Sequence, residues 1–163
     1  MKNQKGFSLI ELLIVVVIVG IIAAIAVPNL LASRRAANEG SAISALRTIH
    51  GAEMIYHSTK GKGKFGTLAE LTAAGLIDLT IVNSSVVGRS GYEFSLDKTD
   101  ASAENASKFA VKAEPFAGSS SLTTGTRSFA IGTPGVIYSG APAAGTFDVT
   151  GGEVTGTSTV FNN

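Results

Sequence analysis

The sequence predicts an α+β protein in which one long amino-terminal helix, membrane-spanning in its first half and amphipathic in its second, packs on a small antiparallel β-sheet head. Three observations predict it. Residues 7–27 are apolar on every side, and residues 29–58 continue at a helical period with one apolar face. From Gly91 onward, short alternating segments are separated by turn-forming stretches rich in Gly, Ser and Thr. At 163 residues the chain fits one modest domain plus an appendage.

From Phe7 to Val27 the chain reads FSLIELLIVVVIVGIIAAIAV, interrupted only by Ser8, Glu11 and Gly20. About twenty such residues, each rising about 1.5 Å in a helix, reach about 30 Å, which matches a hydrocarbon core. A core helix of a small soluble domain would keep a polar stripe toward water, and none is present here. The preceding MKNQKG carries Lys2, Lys5 and the amino terminus, a flank held on the cytoplasmic side that modestly outweighs Arg34 and Arg35 beyond the far end. In a secretory signal peptide the small-residue cleavage site follows the apolar region. Here the small residue, Gly6, precedes it, so a cut after Gly6 leaves the helix attached.

Glu11 is the one ionisable residue in this run. An ionised group near a bilayer centre costs about 2.5–3.5 kcal/mol on insertion scales, though a position near one end brings it close to the interface. Cleavage after Gly6 would create a positive amine on Phe7, able to pair with Glu11 of a neighbouring copy when the helices bundle away from lipid.

In sequence, KGFSLIELLIVVVIVGIIAAIAVPNL resembles the class III signal and helix of type IV pilins and type II secretion pseudopilins: a short basic leader, Gly6 before the cut, Phe7 as the new first residue, Glu11 four residues on, and Pro28 closing the apolar stretch. The resemblance implies a pilin fold, with residues 1–6 a cleaved leader, 7–28 a membrane and filament-core helix, 29–58 its amphipathic continuation and 59–163 the head. It implies that a prepilin peptidase cuts between Gly6 and Phe7 and N-methylates Phe7, and that Glu11 registers subunits through a neighbour's amine. The precursor would reside in the inner (cytoplasmic) membrane. An assembly platform and ATPase would then move it into a homopolymeric surface filament serving adhesion, motility or other fibre roles. A type II secretion pseudopilin is the alternative, and a membrane-tethered binding protein that never polymerises is a third. Gly20 is a poor helix former and Pro28 lacks an amide donor, so the stretch between them is a weak point. It either kinks at Pro28 or, as the resemblance suggests for assembled pili, loses helicity and extends.

Beyond Pro28, Leu31, Ala42, Ala45, Leu46, Ile49, Ala52 and Tyr56 share one side of a 3.6-residue wheel, opposite Arg35 and Arg47. Gly40 and Gly51 each weaken this helix by about 1 kcal/mol, so a sheet against its apolar stripe must supply much of its stability. After GKGKFG, residues 67–75 read as a short helix, with Thr67 and Glu70 at capping-box spacing and Gly75 suited to the left-handed position past its end. SGYEFSLD and SKFAVKAEP alternate as strands, with KTDASAENA as the loop between them. TRSFAIGTPGVIYSG reads as a hairpin turned at Gly132 to Gly135, with Phe129, Ile131, Val136 and Tyr138 as its apolar positions. Together these predict an antiparallel meander. Residues 141–163, with isolated Phe147, Val149, Val154 and Phe161, either add an edge strand or wander.

The composition excludes several chemistries. Lys and Arg total 13 against 12 Asp and Glu, which gives no broad field for gripping nucleic acid as a primary partner. Without cysteine there is no disulfide, zinc-thiolate site, iron–sulfur cluster or thiol nucleophile. No GxSxG, HExxH or phosphate-cradling glycine loop occurs, so the chain reads as no enzyme and as needing no cofactor. His50, Glu53 and His57 fall within one arc of a helix that could approach zinc, but a fourth ligand is not evident and a polar, solvated or intersubunit face is the expectation. Asp148 and Glu153 stand apart among glycines and threonines, too few for the calcium-bound carboxy-terminal loop of many pseudopilin heads. Lys60, Lys62 and Lys64 form a compact basic loop that could touch anionic lipid or DNA and reads more simply as solvated. Asn83-Ser84-Ser85 and Asn105-Ala106-Ser107 match a short glycosylation pattern to which no modification is assigned.

Overall fold

The computed structural model describes residues 6–78, 91–103, 105–116, 124–141, 147–156 and 159–161. The chain divides into two compact units, residues 1–34 and 35–163. Helix α1, Leu9–Ser58, contributes to both, with Pro28 inside it.

In the first unit every residue from Leu9 to Leu30 is exposed, as an all-apolar helix must be when no protein surface covers it. In the second unit α1 buries Glu39, Ala42, Ile43, Leu46, Ile49, Ala52 and Glu53. The predicted stripe is therefore present, but two carboxylates lie within it. Helix α2, Leu68–Ala73, begins at Thr67, whose hydroxyl accepts the Glu70 amide at 3.2 Å while Glu70 accepts the Thr67 amide at 2.7 Å, the reciprocal capping box expected from the spacing. Gly75 follows with φ 72°.

Among the described residues the head is a five-stranded sheet of Tyr92–Thr99, Lys108–Pro115, Ser128–Gly132, Ile137–Gly140 and Thr159–Val160, in that spatial order, plus a two-stranded ribbon, all pairs antiparallel. Strand β1, Tyr92–Thr99, pairs with β2, Lys108–Pro115, along its whole length from Tyr92 opposite Pro115 to Thr99 opposite Lys108. β3, Ser128–Gly132, turns through Thr133 and Pro134 into β4, Ile137–Gly140. The register sets Ile131 opposite Ile137 and Ala130 opposite Tyr138. Cross-strand partners share a face, so Ile137 joins Phe129 and Ile131 in the core, whereas Tyr138 lies on the other face and Val136 precedes the strand. This corrects the expected apolar positions of the hairpin by one residue: Gly135, at φ 78°, belongs to the connection and shifts the inward place onto Ile137.

The helix-facing core unites Leu46, Ile49, Phe65 and Leu71 with Tyr92, Phe94, Phe109, Val111, Phe129 and Ile131. Phe65 stacks at 4.6 Å on Phe109, and the Tyr92 hydroxyl donates to the Arg127 carbonyl at 2.7 Å, so the ring is buried without orphaning its polar tip. The sheet's other face carries the small residues Ala110, Ala130 and Gly132. It is covered by β5, Phe147–Thr150, and β6, Glu153–Gly156, with Phe147 fully buried and the Val154 methyl beside Gly132. Residues 147–156 thus form a hairpin of their own, while β7, Thr159–Val160, takes the expected edge place beside β4.

The β5–β6 turn is Gly151-Gly152, with φ 67° and 72°; positive φ at both central residues is what the type I′ turn requires. A Cβ on Gly152 would also lie 2.5 Å from the Lys108 carbonyl oxygen. Gly152→Ala is therefore expected to cost about 1–3 kcal/mol through φ strain and backbone collision. The effect is measurable as a lower thermal midpoint of the full chain in detergent, whereas Gly51→Ala, whose Cβ would meet nothing within 4 Å, should not lower it.

Candidate functional site

The helix becomes hydrogen-bonded at Ser8, whose carbonyl accepts the Leu12 amide at 3.2 Å. Gly6 and Phe7 lie just ahead of it, both exposed, with Phe7 85% accessible. Glu11 sits in the first turn, where a carboxylate faces the positive end of the helix dipole. Leu9, Ile10, Leu12 and each large apolar residue on to Val27 keep more than half of their surface exposed, so the segment has the length and composition to cross a membrane. Gly20 and Pro28 both lie within α1, and a Cβ on Gly20 would meet nothing within 4 Å. The leader lysines Lys2 and Lys5 and the Asn83-Ser84-Ser85 pattern lie outside the described residues.

In the head, Glu53 lies buried on the stripe marked by Leu46 and Ile49, while His50 and His57 beside it are half-buried. The three side chains go to different partners. His50 Nε2 lies 3.2 Å from the Thr133 carbonyl, Glu53 accepts the Gly66 amide at 2.9 Å, and His57 stacks on Phe65 at 4.6 Å with Nε2 3.3 Å from the Ser107 hydroxyl. Among the described residues no three metal-ligating side chains converge. The basic loop is tied down in part: Lys64 pairs with Asp100 at 3.1 Å and Lys60 donates to the Ala74 carbonyl at 3.5 Å.

Glu39 was not singled out by its spacing, yet it is the main polar anchor between α1 and the sheet. Its Oε1 accepts the Thr126 amide at 2.9 Å and hydroxyl at 2.6 Å, and its Oε2 accepts the Arg127 Nε at 3.0 Å and Nη2 at 2.7 Å. Burial acts to raise its pKa, but the two Thr126 donors and the Arg127 guanidinium outweigh it and hold the carboxyl below its usual range. Arg127 in turn lies over the rings of Phe129 and Phe161 at 5.4 and 5.5 Å. Ala42 and Leu46 in the same helical stripe were the only sequence hint, since Glu39 precedes them by three and seven residues.

The first unit is thus a bare apolar helix with the length and composition to cross a membrane, and the second is a helix packed on an antiparallel sheet. Residues 1–27 match the prokaryotic N-terminal methylation motif. The chain is 62% identical over 39 residues, 24% of its length and 30% of the relative's, to the type IV wide pilus major component PilA4 of Thermus thermophilus. It is 38% identical over 56 residues, 34% of its length and 40% of the relative's, to the type II secretion system core protein G of Klebsiella pneumoniae. It is also 38% identical over 60 residues, 37% of its length and 27% of the relative's, to the type IV major pilin protein PilA of Myxococcus xanthus. The matched stretches thus span 27 to 40% of these relatives. No solved structure matches the chain. Over its amino-terminal stretch the chain is thus similar to type IV pilins and type II secretion pseudopilins.

Proposed function

We propose that this chain is a major subunit of a type IV pilus, cut between Gly6 and Phe7 by a prepilin peptidase, methylated on Phe7 and polymerised through its amino-terminal helix. The observation that carries the reading is an uncovered apolar helix, residues 9–30, whose first turn holds one carboxylate four residues after Phe7. Alone in a bilayer, that helix satisfies its backbone internally and its side chains with lipid, leaving only Glu11 poorly placed. Cleavage exposes an amine on Phe7 at the positive end of the helix, and a carboxylate one turn along a neighbour is its natural counter-ion. Each copy then offers one cation and one anion, a head-to-tail complementarity that propagates as an open helical polymer.

On this reading residues 1–6 are the leader, 7–28 the membrane and filament-core segment, 29–58 the amphipathic continuation and 59–163 the displayed head. Gly20 and Pro28 give the core segment the freedom to stretch on extraction. The assembly platform, its ATPase and the inner membrane are the partners of the precursor, and the cell surface is the destination of the fibre.

Similarity to the core protein G supports a second reading as a secretion pseudopilin. Deleting the gene separates the two: loss of surface fibres with protein secretion intact is expected of the pilin, and the reverse of the pseudopilin. Processing is checked by intact mass spectrometry of sheared surface material, which is expected to begin at N-methylated Phe7. A mass that includes Met1 to Gly6 would overturn the proposal.

A further inference from the structure

Glu53 is fully buried in the middle of the helix-facing core, and it is the least provided-for charged group among the described residues. Its Oε2 accepts one bond, from the Gly66 amide at 2.9 Å, while Oε1 has no partner at all. Among the described residues no cation lies within ion-pair range of it. From β1 comes Lys98, already paired with Asp100 at 3.0 Å, and from the segment after α1 comes Lys64, paired with the same aspartate. α2 presents the like charge of Glu70, β2 turns Phe109 and Val111 inward, and α1 itself flanks the site with His50 and His57.

An ionised carboxylate with one hydrogen bond and an orphaned oxygen is costly in such surroundings, whereas the neutral acid is tolerated. The bond it makes holds a short, lysine- and glycine-rich stretch. Gly66 is itself buried, so close to Tyr56 that an added Cβ would lie 3.1 Å from its ring, and Phe65 is wedged between His57 and Phe109 at 4.6 Å from each. Thr67, next in the chain, caps α2. Residues 61–67 carry the amide that Glu53 holds, so lifting them would break that bond.

We propose that Glu53 is a proton-operated latch: as the neutral acid it clamps residues 61–67 over the end of α1, and a rise in pH lets that segment open locally while the sheet stays folded. Burial raises its carboxyl from the usual 4.5 to about 7, against the opposing pull of the Gly66 amide and Lys98 and with a push from Glu70. In the opened segment, with Glu53 in water, the ordinary value returns. The closed form therefore binds the proton more tightly than the open one, so clamping is complete below pH 4.5, weakens by roughly tenfold per pH unit from there to about 7, and is flat above. The switch would change the display of Lys60, Lys62, Lys64 and Phe65 on the head.

Amide hydrogen exchange on the full chain in detergent micelles tests this, read by mass spectrometry from pH 4.5 to 8.5 after correction for intrinsic rates. Residues 61–67 are expected to lose protection by more than tenfold between pH 5 and 7 and then to level off, while β2 and β3 amides hold steady. Glu53→Gln, which keeps an acceptor for Gly66 and cannot ionise, should give a flat profile. Parallel profiles for the two proteins would overturn the latch, as would sheet and segment opening together. Should the variant fail to fold, carboxyl NMR of the labelled natural chain decides, because a Glu53 midpoint in the ordinary glutamate range is incompatible with the proposal.

Discussion

Cells producing Glu11→Ala are expected to lose surface fibres, with sheared subunit falling at least tenfold while the membrane pool of processed protein persists or grows. The substitution removes the only charge from an otherwise apolar span, so insertion into lipid becomes easier, not harder. On the proposed reading, a defect confined to assembly would come from the missing counter-ion for the Phe7 amine. Glu11→Gln separates charge from shape and should fail nearly as badly, while Glu11→Asp should retain part of the yield. The measurement is an immunoblot of sheared and membrane fractions alongside electron micrographs; abundant normal fibres from the alanine variant would refute the pairing.

Glu39→Ala is expected to destabilise the head by about 2–3 kcal/mol, below the 3–5 kcal/mol typical of breaking a wholly buried pair because Arg127 keeps access to water. The change strands the Thr126 donors and frees a guanidinium held between Phe129 and Phe161, and it should lower the thermal midpoint by roughly 10 °C. The pH dependence has a definite sign. The Glu39 carboxyl is held below its unfolded value, so its contribution is present above about pH 4.5 and is lost as pH falls through the lowered value. Melts of the natural chain and of Glu39→Ala, followed by circular dichroism in detergent, should therefore differ most near neutrality and converge in acid. A constant gap from pH 7 to pH 3 would show that Glu39 acts through packing alone. Glu39 and Glu53 thus respond to pH in opposite senses, the one because four donors hold its anion, the other because almost nothing does.

Features whose causes lie within a few residues were legible in the sequence. The span from Phe7 to Val27 needs no partner to be recognised, since its polarity alone decides which solvent it can enter. The capping box of Thr67 and Glu70, the left-handed Gly75, the strands around Phe94 and Phe109 and the turn after Gly132 are likewise local. The Gly151-Gly152 turn was not read from the sequence, where residues 141–163 showed only isolated apolar positions; the pairing of β5 with β6 revealed it. Among the candidate residues, Gly6, Phe7 and Glu11 lie within six residues of one another, so their spacing is visible along the chain without any tertiary contact.

What only the tertiary structure decided is which polar groups the head takes inside. A glutamate on the buried stripe reads as an error in the amphipathic pattern until a partner is brought up from far along the chain: Thr126 and Arg127 for Glu39, Gly66 for Glu53. The exchange of Ile137 for Val136 and Tyr138 in the core is of the same kind, because register is fixed across the pair of strands and not along one of them. The sequence by itself determined the apolar helix, the acid in its first turn and the order of the elements as far as β4. Long-range contacts determined the surroundings of its buried acids, and a carboxyl's charge state depends on the donors and the water that folding leaves around it.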